Sequence, residues 1–188
     1  VLPNINNKLN RQIATDEMPQ SADGKTVMTT QPKFIPSNAV KVTFKNKTTA
    51  NVRLVDCVGY MVDGASGHLE DGKPRKVKTP WDDKEIPFEK AAEIGTEKVI
   101  RDYSTIGIVV TTDGSFGEIN REAYIPAEEK TIKELISLKK PFVIVLNSAT
   151  PNDEKTLLIA SELEEKYGVS VLPINVAEMG SEEIGGII

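Results

Sequence analysis

The second half of the chain alternates helical periodicity with short apolar runs, and this alternation restricts the possible fold more than any other feature. The pattern predicts helices at 91–100, 126–138 and 153–166, and buried strands at 106–110, 141–146 and 169–174. Pro126 is expected in the first turn of the second helix, and Gly168 is expected to end the third. Strands that alternate with helices predict an α/β fold with a mostly parallel sheet and right-handed crossovers.

The first half follows a different pattern. Two strand-like runs, 40–45 and 51–56, are separated by a polar turn and predict a hairpin. Residues 59–88 are rich in glycine, proline and charge, so we expect a long loop without any regular element. The whole chain is predicted to form one domain, divided into a loop at 1–39, the hairpin at 40–58, the loop at 59–88 and the alternating remainder at 89–188.

Composition excludes several classes of function. Hydrophobic residues make up 39% of the chain, and no apolar run approaches the roughly 18 residues that cross a bilayer. The net charge is −5 and basic residues form no stripe, which argues against binding to nucleic acid. A single cysteine, Cys57, and the lack of a signal segment at the start predict a cytoplasmic protein. Because the chain begins with Val1 and not with methionine, we expect it to be a piece of a longer protein.

Ligands of parallel sheets bind at the carboxyl ends of the strands, and one of these ends carries a nucleotide-type motif. Asp56 follows an apolar strand, and Gly59 stands three residues later. In translation-factor-like NTPases, the aspartate of this Walker B arrangement holds Mg²⁺ through a water. The glycine lets a backbone N–H approach the γ-phosphate. An ordinary strand that ends in an aspartate turn is the alternative interpretation.

A threonine pair, Thr29 and Thr30, lies ahead of the hairpin, where such NTPases carry a switch threonine that ligates Mg²⁺. Strand propensity next to Pro32 is the alternative explanation of this pair. The phosphate loop itself is missing from the sequence. Gly24 begins a string that resembles its end, but Pro19 stands where the first glycine should be. If the chain is an NTPase, its first strand and phosphate loop lie upstream of Val1.

The later strand ends bear on base recognition. GTPases read guanine with Asn-Lys-x-Asp, whereas the strand at 141–146 is followed by Asn147, Ser148 and, in place of the aspartate, Thr150. We assign Asn147 and Ser148, together with Gly59, to nucleotide binding, without a carboxylate that reads guanine. Asp113 could reach the active site, although a turn at Asp113-Gly114 is the preferred interpretation. Tyr60 stands where many GTPases carry a glutamine that orients water, so turnover is expected to be slow.

Several strings along the chain resemble the stage IV sporulation protein A family of endospore-forming bacteria. They are 2–5, 16–21, 24–30, 53–60, 79–81 and 91–96. The resemblance implies a P-loop NTPase that uses ATP and Mg²⁺. It also implies Asp56 as the Walker B aspartate and Thr29 and Thr30 as the sensor threonines.

The resemblance further implies self-assembly of the parent protein into the basement layer of the spore coat. Its location would be the mother-cell cytoplasm, at the outer forespore surface. A small amphipathic membrane-anchoring protein and other coat proteins would bind regions beyond Ile188. A fragment without its phosphate loop is expected to be inactive. The alternative is a scaffold module of the spore coat that acts without nucleotide.

Overall fold

The computed structural model describes residues 5, 8, 11, 12, 32–44, 47–180, 184 and 187. Its strands are β1 (Lys33–Thr43), β2 (Thr49–Asp56), β3 (Leu69–Glu70), β4 (Lys73–Pro74), β5 (Lys76–Thr79), β6 (Asp82–Pro87), β7 (Gly107–Thr112), β8 (Phe142–Asn147) and β9 (Val171–Ile174). Its helices are α1 (Phe88–Lys98), which continues as a π-helical turn (Val99–Tyr103), α2 (Arg121–Ser137) and α3 (Glu154–Tyr167).

The alternating half forms a parallel sheet in the order β7-β8-β9, as the sequence predicted. Helices α2 and α3 are the crossovers, and they pack onto one face of the sheet. Ile144 and Leu146 of β8 are fully buried there, beside Ile132 of α2. Removal of such side chains from water contributes about 1.5 to 3 kcal/mol each, so this face is the main core.

The helix boundaries show where local signals succeed and where they fail. Helix α3 ends as predicted, because Gly168 adopts a left-handed φ of 65° and donates its N–H to the carbonyl of Glu164 at 2.8 Å. Helix α2 begins at Arg121, so the prediction that Pro126 occupies its first turn was wrong. The earlier start is stabilised by Arg121, whose guanidinium binds Glu128 two turns along the helix.

The predicted hairpin is confirmed as the antiparallel pair β1 and β2. Strand β1 begins at Lys33, inside the segment predicted as loop, and an irregularity in pairing between Ile35 and Val40 separates its two parts. Ile35 is buried against Ile5, so tertiary packing accounts for the added strand residues.

The expectation of a loop without regular elements at 59–88 was wrong. Two small hairpins, β3 with β4 and β5 with β6, occupy part of it. The glycines and prolines of this segment belong to turns and strand ends. Gly72, together with Asp71 before it, takes the positive φ values of a tight turn. Pro74 and Pro87 end β4 and β6, where a missing N–H interrupts little pairing.

Within the part of the chain that the structure describes, no helix has the length and apolar character needed to cross a membrane.

Candidate functional site

A cavity of about 430 Å³ lies between β2 and β7, with α1 and α2 beneath it. Asp56, Cys57 and Gly59 line it from the β2 side, and residues 106–111 line it from the β7 side. The predicted Walker B residues therefore line a concave space next to the parallel sheet. The expectation that β2 ends at the edge of that sheet was wrong for the described residues, because β2 pairs antiparallel with β1 in a separate two-stranded sheet.

Asp56 is the last residue of β2, and its carboxylate lines this cavity. Desolvation by surrounding atoms raises the pKa of Asp56 above its ordinary value, while the backbone N–H of Cys57 and the charge of Lys33 oppose the shift. A single carboxylate that adjoins open space suits Mg²⁺, because this ion usually binds through one or two carboxylates, several waters and the phosphates of a substrate. Asp56 therefore fits the role of a magnesium ligand, directly or through water.

Gly59 adopts a φ of 82°, a left-handed conformation that side chains with a Cβ disfavour. An added Cβ would meet no atom within 4 Å, so packing inside the chain does not require a glycine here. The backbone conformation does, and the absent side chain leaves the space beside it open. The Gly59 N–H hydrogen-bonds the Cys57 side chain, and the space around its Cα leaves room for a ligand to approach the backbone here.

Tyr60 lines the same cavity, and its hydroxyl is engaged by α2. Its hydroxyl hydrogen-bonds the carboxylate of Glu134 on α2, and Lys130 lies 4.1 Å from the centre of its ring. Burial and the carboxylate of Glu134 raise the pKa of Tyr60 well above its ordinary value. The segment that follows Gly59 is thus attached to α2 by a neutral phenol.

Asp113, which the sequence assigned to a turn, is a buried centre of hydrogen bonds at the end of β7. The turn is present, because Gly114 takes a φ of 84°. The Asp113 carboxylate also accepts hydrogen bonds from the N–H and hydroxyl of Ser115 and, at 2.8 Å, from the hydroxyl of Thr156 on α3. Burial opposes ionisation, but the hydrogen bonds from Ser115, Ser148 and Thr156 outweigh it and lower the pKa of Asp113 to about 2.

Asn147 and Ser148 lie at the carboxyl end of β8, next to Asp113. The Asn147 side-chain oxygen accepts a hydrogen bond from the N–H of Val176 at 3.0 Å. Ser148 is fully buried, and its hydroxyl accepts from the N–H of Thr150 at 3.0 Å and lies 3.2 Å from the hydroxyl of Thr156. These contacts give Ser148 a role in holding the loop after β8, and its contact with nucleotide stays a prediction.

Thr29 and Thr30 lie outside the described residues, so their assignment as switch threonines stays a prediction. Among the residues whose positions are described, no group of three or more histidine, cysteine, aspartate or glutamate side chains forms a metal site.

A buried ion pair lies beside the cavity and was not predicted from the sequence. Glu128 of α2 lines the cavity, and its carboxylate lies 2.7 Å from the guanidinium of Arg121. Arg121 also donates to the hydroxyl of Thr111 on β7 at 3.1 Å, and only 2% of the Glu128 side chain is exposed. In the sequence, the only signal for this pair is that Arg121 and Glu128 stand seven residues apart, which places them on one face of a helix. The same spacing is typical of an exposed charged face, and only the position of β7 shows that the pair is buried.

Residues 1–188 match the family described as stage IV sporulation protein A, ATPase domain. The chain is 55% identical over 184 residues to a stage IV sporulation protein A of Clostridioides difficile (strain 630), and 98% of the chain is covered. It is 49% identical over its whole length to the protein of that name from Bacillus subtilis (strain 168), and 46% identical to that of Bacillus anthracis.

The chain spans 38% of the length of each of these relatives. No solved structure matches it.

Proposed function

The chain belongs to the stage IV sporulation protein A ATPase-domain family, and we propose that it is the nucleotide-hydrolysing part of a longer sporulation protein. The observation that carries this proposal is that Asp56, the last residue of β2, and Gly59, three residues later, both line the cavity next to β7. The relatives' name associates them with sporulation, and the family description with ATP hydrolysis.

The proposed fold is that of a P-loop NTPase of the translation-factor class, with ATP and Mg²⁺ as ligands. The phosphate loop would be supplied by residues upstream of Val1. Bound Mg²⁺ would neutralise the phosphate charge that develops during transfer. Asp56 would hold the ion through water, Gly59 would donate its N–H to the γ-phosphate, and Thr29 or Thr30 would respond to that phosphate.

In this proposal hydrolysis drives polymerisation of the parent protein into the basement layer of the spore coat, on the forespore surface in the mother-cell cytoplasm. The partners would be further copies of the protein, a small amphipathic membrane-anchoring protein and other coat proteins, through regions outside this chain. A module without the phosphate loop would itself be inactive.

The test compares Asp56→Asn with Asp63→Asn in the full-length protein. Asp63 is exposed in the segment that follows β2 and serves as the matched control. Loss of one contact to a charged ligand is worth roughly 1.5 to 3 kcal/mol, so Asp56→Asn should lower ATP turnover by about tenfold or more. Because the phosphate loop carries ground-state binding, ATP affinity should change only a few-fold. Equal turnover in the two variants would contradict the assignment of Asp56.

Thr29→Ala, Thr30→Ala and the double variant test the switch assignment with the same assay and with sedimentation of the polymer. We expect lower turnover and less polymer in at least the double variant. Normal polymer formation in variants that no longer hydrolyse ATP would favour a scaffold that works without nucleotide.

A further inference from the structure

The four residues that follow β2 are held at both ends by hydrogen bonds. At the first of them, the Cys57 sulfur accepts a hydrogen bond from the N–H of Gly59, and the side chain of Thr96 on α1 is a second partner. At the last of them, the hydroxyl of Tyr60 donates to the carboxylate of Glu134 on α2. The backbone at Gly59 is therefore constrained from both sides.

Tyr60 is attached to α2 through its ring as well as its hydroxyl. Lys130 stands one turn before Glu134 on α2, and its ammonium group lies 4.1 Å from the centre of the ring. The Glu134 side chain is only 15% exposed and lies 4.0 Å from the guanidinium of Arg101. Hydrogen bonds to a carboxylate are stronger than those between neutral groups, and the cation over the ring adds to them. These contacts of Tyr60 with Glu134 and Lys130 are called the Tyr60 attachment.

The lysine over the Tyr60 ring belongs to a group of ion pairs that joins α1 to α2. Lys130 pairs with Glu93 of α1, and Glu93 also binds Lys90 at 2.6 Å. The hydrogen bonds from Lys130 and Lys90 lower the pKa of Glu93 to about 2, so this carboxylate is charged at neutral pH. Glu93 therefore helps to keep Lys130 in place over the ring.

The position of Tyr60 depends strongly on this attachment, because there is open space on both sides of the residue. Tyr60 lines the cavity of the candidate site, and it also lines a second cavity of about 450 Å³ between α1 and α2. Met61 and Pro126 are among the residues around that second cavity. If the attachment opened, the ring would have space to move into.

The attachment bears on the proposed chemistry through the N–H of Gly59. The proposed function requires this N–H to donate to a phosphate, whereas in this structure it donates to Cys57. A backbone amide has a single N–H, so the sulfur and a phosphate compete for it. Glycine adopts many backbone conformations without a steric penalty, so the N–H can turn towards the cavity once the next residue, Tyr60, is released.

We propose that Tyr60 is a positioning residue that restrains ATP hydrolysis, because its attachment to Glu134 and Lys130 keeps the Gly59 N–H on Cys57. The inference rests on the proposed function, in which Gly59 contacts the γ-phosphate. It differs from the expectation that turnover is slow because Tyr60 replaces a glutamine that orients water. A missing glutamine predicts no gain when Tyr60 becomes phenylalanine, whereas a restraint predicts faster turnover.

The test compares Tyr60→Phe with Tyr103→Phe in the full-length protein. Both changes remove one phenol hydroxyl, and Tyr103 is a suitable control because it is 43% exposed and contacts Phe34 through its ring. Without nucleotide, the Gly59 amide should exchange its hydrogen about tenfold faster in Tyr60→Phe, because a hydrogen bond to a charged group is lost. For the same reason ATP turnover should rise by about three- to tenfold. Tyr103→Phe should change neither rate.

A double-mutant cycle with Glu134→Ala shows whether Tyr60 acts through Glu134. This variant removes the acceptor of the Tyr60 hydroxyl, so turnover should rise as it does in Tyr60→Phe. Because both changes break the same contact, the double variant should be no faster than the faster single variant. Additive effects would show that the two residues act separately, and would overturn the proposal.

Two further outcomes would overturn it. Equal exchange of the Gly59 amide in Tyr60→Phe and in the parent would show that the hydroxyl does not hold this part of the backbone. Turnover in Tyr60→Phe that is unchanged or lower would show that the attachment does not restrain hydrolysis. A parent protein without ATP turnover would contradict the proposed function, whereas the exchange measurement needs no turnover and decides separately whether Tyr60 holds Gly59.

Discussion

At the scale of single residues, Asp113 shows how burial and hydrogen bonding together determine a role. Its carboxylate receives hydrogen bonds from Ser115 and from Thr156, and so connects the end of β7 to helix α3. Ser115 extends the connection, because its hydroxyl accepts from the N–H of Ala149 after β8 at 2.8 Å. One side chain therefore organises the ends of two strands and the first turn of a helix.

We predict that Asp113→Ala lowers the free energy of unfolding by about 2 to 4 kcal/mol, because it removes hydrogen bonds to a charged group and leaves the Thr156 hydroxyl without this acceptor. Urea denaturation measures the change. Asp63→Ala, at an exposed position, is the control and should stay within about 0.5 kcal/mol of the parent. Similar effects for the two variants would refute the role of Asp113.

The pKa of Asp113 predicts a dependence of stability on pH. It is lowered from an ordinary value of 3.8 to about 2, so the folded state favours the ionised form. The resulting stabilisation is complete above the unfolded pKa and is lost as the pH falls from about 4 towards 2. In Asp113→Asn, thermal melts between pH 5 and pH 2 should show a smaller loss of stability than in the parent. An unchanged slope would rule out this contribution.

At the scale of secondary-structure elements, the buried pair of Arg121 and Glu128 explains where α2 begins. The pair spans two turns of the helix, and Arg121 also contacts Thr111 on β7. The helix start is therefore fixed by a tertiary contact, although Pro126 lies only five residues later.

We predict that Arg121→Ala destabilises the chain by about 3 to 5 kcal/mol, because it leaves the Glu128 carboxylate buried without its cation. Lys133→Ala removes an exposed ion pair with Glu129 on the same helix and should have little effect. Both are measured by chemical denaturation. The double change Arg121→Met with Glu128→Leu should recover much of the loss; no recovery would mean that the loss does not come from the unpaired carboxylate of Glu128.

The connection between β7 and α2 contains two glycines with positive φ, and they should respond differently to alanine. Gly114 has a φ of 84°, and an added Cβ would lie 2.9 Å from the backbone nitrogen of Arg121. Gly117 has a φ of 76° with no atom within 4 Å of such a Cβ. Gly117→Ala should cost about 1 kcal/mol from backbone strain, and Gly114→Ala clearly more. Equal losses in thermal melts would contradict the close approach to Arg121.

At the scale of the whole molecule, nucleotide binding should depend on residues outside this chain. The sequence has no Gly-x-x-x-x-Gly-Lys-Ser/Thr, and so it lacks the backbone cradle and lysine that provide most phosphate affinity. We predict that the 188-residue chain binds ATP at least about a hundredfold more weakly than the full-length protein, by titration calorimetry. Near-ultraviolet circular dichroism of Trp81 checks that the sample is folded. Submicromolar binding by a sample confirmed to start at Val1 would refute the prediction.

The sequence by itself determined much of the alternating half, because the signals for these elements come from residues that are close together in the chain. Apolar runs bounded by turn residues located β7, β8 and β9, and Gly168 located the end of α3, because backbone conformation there depends on residues close in sequence. The same local signals placed Asp56 and Gly59 at a strand end, as the structure has them.

Contacts between residues distant in sequence determined the rest, and only the tertiary structure could provide them. The start of α2 depends on Glu128 and Thr111, and the role of Asp113 depends on Thr156, 43 residues away. The cavity between β2 and β7 depends on how the hairpin meets the parallel sheet. Periodicity in sequence shows which residues prefer to be buried, whereas the partner that satisfies a buried charge or an open strand edge is set by packing across the whole chain.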